Sequence, residues 1–343
     1  MRRILFTILV ISILLVSCQN NLRSFASDSS QPIVLTTSCP ENVTIYFFDV
    51  GQGDSILIKT SDKNVLVDGG PKESVSALFT YLSNYHVTKI DLLFATHPHE
   101  DHIGGLVSLM QSAIPVQDVV YNGYNYTTQV FNNFRTLALT HNLTIAHRNQ
   151  VYALSPTINF TVLSPVQPLE FSDINANSIV LKFQAGNTSV LLTGDATTDT
   201  EQRMLTSGLN LYSLVLKVGH HGSSSSTSQP FLNAVLPSYA IISAGVNNVY
   251  GHPSQQTLDR LTSNNIVTYG TYNYGTIFFS LNSGNPTPTS SSLPSSSPTP
   301  NASTNPSQTP KIPEFPSLLF VMGFVGLVSL SVLTIRRKNS GID

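Results

Sequence analysis

Apolar and polar positions alternate at the start of "VTIYFFDV" (43–50), and short apolar runs bounded by polar residues fill "SILIKT" (55–60) and "NVLVDGG" (64–70), which predicts three strands. The turn "GQGD" joins the first pair, and a glycine turn ends the third. Helical spacing replaces alternation in "SVSALFTYLSNY", predicting a helix over 74–85, and the apolar run "KIDLLFAT" then predicts another strand. A second series of strands follows in "VYALS", "INFTVLSP", "SIVLKFQAG" and "TSVLLTG". The strands "LYSLVLKVG", "YAIISAG" and "TIFFSL" close the pattern, with a helix at "SQQTLDRLTSN" between the last two. Strands outnumber helices, and two strand-rich halves are each punctuated by helices. That arrangement predicts an α/β fold of stacked sheets covered by helices.

The patterning changes at both ends. Residues 1–18, "MRRILFTILVISILLVSC", place two arginines before a short apolar run, as in a secretory signal, and "LVSC" resembles a lipobox ending at Cys18. A linker, 19–40, leads to one domain over 41–282. Residues 283–312 are rich in Ser, Thr and Pro with almost no apolar side chains, which predicts an extended, disordered stalk. Residues 313–343 hold an apolar stretch of about membrane-spanning length followed by "RRK", placing the domain on the outer face. "IPEFPSLLF" with "IRRK" also resembles the PEF-type sorting signals of archaeal surface proteins. The expected localisation is the extracellular face of the cell membrane, held there by the C-terminal segment.

Composition narrows the chemistry. Of 343 residues 41% are hydrophobic and only 10% charged, with a formal net charge of −2. Within 41–282 there are ten Lys and Arg against sixteen Asp and Glu. That balance argues against strong duplex DNA binding, which needs several neutralised phosphates. Only Cys18 and Cys39 are present, so disulfides cannot staple the domain if the signal is removed.

Against that sparsely charged background, "FATHPHEDHIGG" packs five titratable residues into six positions after a strand. In an extended segment His97 and His99 share a face while Pro98 points away, and Asp101 and His102 follow around the turn. Imidazole and carboxylate are the ligands preferred by borderline divalent ions, and four of them here can serve two adjacent metals. A surface histidine-rich loop is the alternative, but the apolar strand before it and the glycine pair after it argue for an ordered loop at a sheet edge.

The H-x-H-x-D-H pattern resembles the defining motif of the metallo-β-lactamase superfamily. "FFDVGQGDSILI", "NVLVDGG", "LLTGDA", "LKVGHHGSSSSTS" and "NVYGHPSQQTLDRL" together resemble the superfamily domain of the competence protein ComEC and its stand-alone hydrolase relatives. The resemblance implies a four-layer αββα sandwich. It implies that His97 and His99 bind a first metal, Asp101 and His102 a second, and that Asp195 bridges them. His220 is the preferred ligand completing the second site, with His221 left to contact substrate. The superfamily's third histidine of the first site has no counterpart, and Asn177, in "NANSIVL", is the residue expected to occupy its space. Asp54 either orients a ligand histidine or closes a hairpin; Asp68 hydrogen-bonds backbone or a ligand. Lys217 and Ser223 are candidates for a phosphate contact, with a snorkelling lysine and a solvated serine loop as alternatives.

The implied cofactor is Zn2+, one or two ions, with Mn2+ as a competitor. The implied activity is hydrolysis by metal-bound hydroxide, with Asp101, His220, His221 and His252 in catalytic roles, on a small or short-oligonucleotide phosphodiester. Carboxylic ester, lactone or β-lactam hydrolysis is the enzymatic alternative, and a metal-braced surface binding module the non-enzymatic one.

Overall fold

A computed structural model describes residues 42–281. The expected signal, linker, stalk and C-terminal span lie outside the described residues, among which no helix is long and apolar enough to cross a membrane.

The strands of the first sheet are β1 (Val43–Phe47), β2 (Ile56–Lys59), β3 (Asn64–Val67), β4 (Ile90–Ala95), β5 (Val116–Tyr121) and β6 (Asn142–Ile145). The second sheet holds β7 (Val151–Ser155), β8 (Ile158–Ser164), β9 (Val180–Ala185), β10 (Thr188–Leu192), β11 (Val215–Lys217), β12 (Tyr239–Ile242) and β13 (Val267–Gly270). The last strand, β14 (Ile277–Leu281), returns to the first sheet, whose order is β14-β1-β2-β3-β4-β5-β6. The second sheet runs in the order β13-β12-β11-β10-β9-β8-β7. Both sheets are mixed: β3 to β6 are parallel, as are β10 to β13, and the remaining pairs are antiparallel.

Period two decides which layer each side chain joins. Ile45, Ile56, Val65 and Phe94 from the first sheet meet Phe160, Leu181, Val190 and Val215 from the second in one buried cluster between the sheets. The intervening Leu57, Leu66 and Leu93 face outward onto helices α1 (Val75–Asn84), α2 (Glu100–Met110) and α3 (Gln129–Ala138). On the far side, Leu191, Leu216 and Ala240 pack under α4 (Thr198–Leu205), α5 (Gln229–Val235) and α6 (Gln255–Ser263). The architecture is therefore the expected αββα sandwich. Central strands buried on both faces explain why β4 reads as a continuous apolar run.

The elements that were not expected include β5, β6, β13, α3 and α5. The β5 pattern is interrupted by Gln117 and Asp118, and β6 is an edge strand with no fully buried residue, so neither shows a clean alternation.

One close contact positions the chemistry. A Cβ on Gly105 would lie 2.1 Å from the Gly69 carbonyl oxygen, and Gly105 N–H donates to the Gly70 carbonyl at 2.8 Å. Only glycine lets the second turn of α2 press against the loop after β3, which brings Asp68 beneath His102.

Candidate metal centre

The site lies where the parallel strands of both sheets end. His97 and His99 follow β4, Asp195 follows β10, His220 and His221 follow β11, and Asp68 follows β3. Asp101 and His102 stand in the first turn of α2.

Two groups of donors share Asp195. In the first, His97 Nε2 lies 3.1 Å from His99 Nδ1 and 3.6 Å from Asp195 Oδ2. In the second, His102 Nε2 lies 3.3 Å from both His221 Nε2 and Asp195 Oδ1. His221 Nε2 is in turn 3.2 Å from Asp101 Oδ2. Two nitrogens each about 2.05 Å from a tetrahedral zinc ion stand roughly 3.3 Å apart, so these ring atoms have the mutual spacing of ligands. Asp195 Oδ1 is buried and accepts no aligned hydrogen bond, although two imidazoles face it. A set of imidazoles and carboxylates converging on a shared carboxylate fits divalent ions, and both groups have ligand-like mutual distances.

Outside these donors sits a supporting layer. Asp68 Oδ2 is 2.8 Å from His102 Nδ1 and also accepts from the Thr96 hydroxyl, while its Oδ1 accepts from Thr96 N–H. His221 Nδ1 is 2.9 Å from the Ser243 carbonyl and 3.4 Å from Asp54 Oδ1, which itself pairs with Lys217 Nζ at 2.8 Å. These contacts fix which ring nitrogen each histidine turns inward. Asp54 and Asp68 thus hold the His221 and His102 rings in place.

Electrostatics separates the two groups. Burial, reinforced by the His102 ring, holds His97 well below the usual histidine range. Burial acts the same way on His102 and His221 but is outweighed by Asp195 and the neighbouring carboxylates, so both are pushed well above it. Burial would likewise raise Asp195, yet His221 and His102 keep it well below the carboxylate range. For Asp54, Lys217 overcomes burial and brings it down to about 2. Burial wins at Asp68, which is raised despite His102.

Several placements differ from the sequence expectation. His221, not the preferred His220, lies in the four-residue group with Asp101, His102 and Asp195. The reason is backbone geometry: His220 and His221 both adopt left-handed conformations, with φ of 48° and 53°. Consecutive residues there do not alternate like a strand; His221 turns into the buried cleft and His220 stays at its mouth. Such conformations cost on the order of 1–2 kcal/mol per residue and persist where surroundings overdetermine them. Here His220 N–H donates to the Gly194 carbonyl, and the Ser226 hydroxyl donates to the Gly219 carbonyl.

Asn177 does not reach the first group. It is fully buried and its amide closes the 171–177 loop, donating to the Phe171 and Asp173 carbonyls. Asn175, two residues earlier, lines the pocket instead, with Nδ2 3.4 Å from His220 Nε2 and a buried Oδ1 that has no partner. Sequence reasoning missed it because both asparagines share one motif and only the short 3-10 turn at Asn175–Asn177 separates their directions. Lys217 neither snorkels nor meets solvent; it is fully buried against Asp54. Ser223 is largely buried and does not line the pocket, whereas Ser225 approaches His220 Nδ1 at 3.4 Å. His252 is at the pocket as expected, its ring 5.4 Å from that of His220, and burial with the neighbouring histidines keeps it below the usual range.

The donor groups open into a pocket of about 530 Å3. Its wall includes Gln52, Tyr126, Gln129, Asn175, Tyr250 and His252, with no lysine or arginine.

A family model described as the metallo-beta-lactamase superfamily matches residues 48–246. The chain belongs to that superfamily. It is 32% identical over 250 residues to competence protein ComA of Neisseria gonorrhoeae, covering 71% of this chain and 33% of that protein. It is equally identical over 250 residues to ComE operon protein 3 of Bacillus subtilis, covering 67% and 32%. The chain therefore spans about a third of the length of these relatives. Among solved structures, YhfI from Bacillus subtilis overlaps 69% of this chain and 99% of its own, at 13% identity and a TM-score of 0.47. The superfamily chain thus carries a His/Asp cluster suited to divalent metal ions and has competence-protein homologues.

Proposed function

We propose that the protein is a metal-dependent phosphodiesterase, exported and held at the outer face of the membrane by its C-terminal segment. The observation that carries the hydrolytic reading is the pair of donor groups sharing Asp195 at the floor of an open pocket. A site built only to brace the fold would close its ligands away from solvent. Competence-protein relatives support a phosphodiester rather than a carboxylic ester as the bond cleaved.

His97, His99 and Asp195 would hold one ion, and Asp101, His102, His221 and Asp195 the other, zinc or manganese. Divalent ions so held supply Lewis acidity toward a phosphoryl oxygen and acidify water near neutral pH. Asp101 is partly open to the pocket and is kept ionised by His102 and His221 against the effect of burial, so it orients an attacking water as acceptor. His252 is neutral near pH 7, so its ring would accept the proton that the attacking water gives up and pass that same proton to the leaving oxygen. His220 and Asn175 face the same space and orient the substrate's oxygens.

The test is hydrolysis of methyl p-nitrophenyl phosphate by the full-length chain, stripped of metal and then reloaded with Zn2+ or Mn2+. Metal-dependent turnover that Asp101→Ala abolishes supports the proposal. A folded, metal-loaded protein that leaves the diester intact but cleaves a p-nitrophenyl carboxylic ester would overturn it. Export is tested separately: external protease should remove the domain from intact cells, and protection of the domain would refute surface display.

A further inference from the structure

The rim of the pocket carries two tyrosine rings that the chemistry above does not use. Tyr126 lies on one wall with its ring centre 5.9 Å from that of His99. Tyr250 lies on the pocket lining beside His252, its ring 5.9 Å away and inclined by only 25°. Tyr250 is 68% exposed, and its neighbours Val249 and Val246 are 93% and 69% exposed. Single exposed apolar side chains are common on protein surfaces, but here three lie within residues 246–250, on the loop that reaches the pocket at Tyr250. The loop is pinned in that position. Asn248 donates through Nδ2 to the Gly245 and His252 carbonyls and accepts the His252 N–H through Oδ1. Tyr250 is therefore presented on an ordered turn, and its open face has no protein partner stacked on it among the described residues.

Charge on the same surface excludes one class of ligand. The pocket lining has three carboxylates, Glu100, Asp101 and Asp195, and no lysine or arginine. A long polyanion would have its phosphates neutralised only at the metal groups, whereas a planar base gains from stacking on tyrosine whatever its charge.

We infer that Tyr126 and Tyr250 form a stacking subsite that selects a nucleoside-bearing phosphodiester of one or two nucleotides. This rests on the phosphodiesterase reading for the bond cleaved, but the subsite itself can be measured as binding. Each base stacked on an aromatic ring contributes roughly 1–3 kcal/mol, about 5- to 150-fold in affinity.

The probe is 2-aminopurine riboside 5′-monophosphate, whose fluorescence falls on stacking, titrated into metal-loaded full-length protein with ribose 5-phosphate as the base-free competitor. The nucleotide should bind at least about tenfold tighter than ribose 5-phosphate and be quenched on binding. Tyr250→Ala should remove most of that preference, Tyr250→Phe should keep it, and Tyr126→Ala should reduce it. Tyr212→Ala serves as control, because Tyr212 is an exposed ring near the start of β10, at the opposite end of that strand from Asp195. Equal affinity for the two ligands, or a preference untouched by Tyr250→Ala, overturns the subsite. The exposure of Tyr250 makes a folding failure an unsuitable explanation for its variant. The two readings fail separately: selective nucleotide binding without diester cleavage removes only the phosphodiesterase, and cleavage of methyl p-nitrophenyl phosphate without base preference removes only the subsite.

Discussion

The two donor groups at the centre differ more than their shared carboxylate implies. Around His102 and His221, four donors converge and each imidazole is held from behind, by Asp68 and by the Ser243 carbonyl with the Asp54–Lys217 pair. Around His97 and His99 there are three donors, and the position across from them is bordered by His220 and Asn175 at the pocket mouth. His220 Nε2 stands 3.8 Å from Asp195 Oδ2, close to that group yet outside it. One group has four donors and both imidazoles braced; the other has three, with His97 Nδ1 supported by the Thr96 hydroxyl at 3.1 Å, and is open to the pocket. On the hydrolytic reading proposed above, the braced group would hold an ion permanently and the open one would exchange ligands during turnover.

The largest effect should come from the residue both groups share. Asp195→Ala removes a donor from each, so stoichiometric zinc retention should be lost and activity should fall by more than about a hundredfold. Elemental analysis after dialysis checks this, and a variant that retains two equivalents would refute the shared role.

Lys217→Met attacks the brace alone. It leaves Asp54 buried without its lysine and facing the His221 ring at 3.4 Å, and breaking a buried pair from one side costs about 3–5 kcal/mol. Chemical denaturation of the metal-free protein should show this loss, and the double variant Lys217→Met/Asp54→Leu should recover much of it. Equal stability of wild type and single variant would mean that the pair contributes nothing.

These two predictions also mark what could be read from sequence. The first motif was legible because its residues are local: a strand, a turn and a helix start place His97, His99, Asp101 and His102 by backbone geometry alone. Asp195 was legible for the same reason, at the end of an apolar strand. The Asp54–Lys217 contact joins residues from different sheets, and no local pattern announces it. The order of His220 and His221 depends on two successive positive φ angles at non-glycine residues, which nothing in "GHHG" requires. Likewise, β5 and β6 escaped notice because outward polar residues break the alternation near the sheet edge, where burial is one-sided.

Protons sharpen the comparison further. Without metal, the carboxylates around His102 and His221 push both above the usual histidine range, overriding burial, so each is protonated at pH 7 and must release its proton to become a ligand. Metal affinity of the braced group should therefore strengthen as pH rises through 6.5 and continue to do so toward the raised values. His97 and His99 are lowered by burial and are already neutral at pH 7, so the open group should fill with little pH dependence above neutrality. Calorimetric titration with zinc in two buffers of different ionisation enthalpy should show about one to two protons released for the braced group and close to none for the open one. Equal release from both would contradict the electrostatic distinction.

The smallest predicted change is the most selective. Asn175 Oδ1 is buried, unpartnered and on the pocket wall beside the open group, where a carboxamide oxygen can orient water or complete a coordination shell. Asn175→Ala should weaken metal binding at the open group by about tenfold, within the range seen when a supporting polar contact is removed, and leave the braced group unchanged. Cobalt substitution separates the two, because cobalt absorption reports coordination at each site as equivalents are added. The first equivalent should titrate as in wild type and the second should require more metal. If instead the first equivalent weakens, Asn175 acts through the His220 turn on the whole cleft, and the boundary between a braced and an open half would have to be redrawn at Asp195 itself.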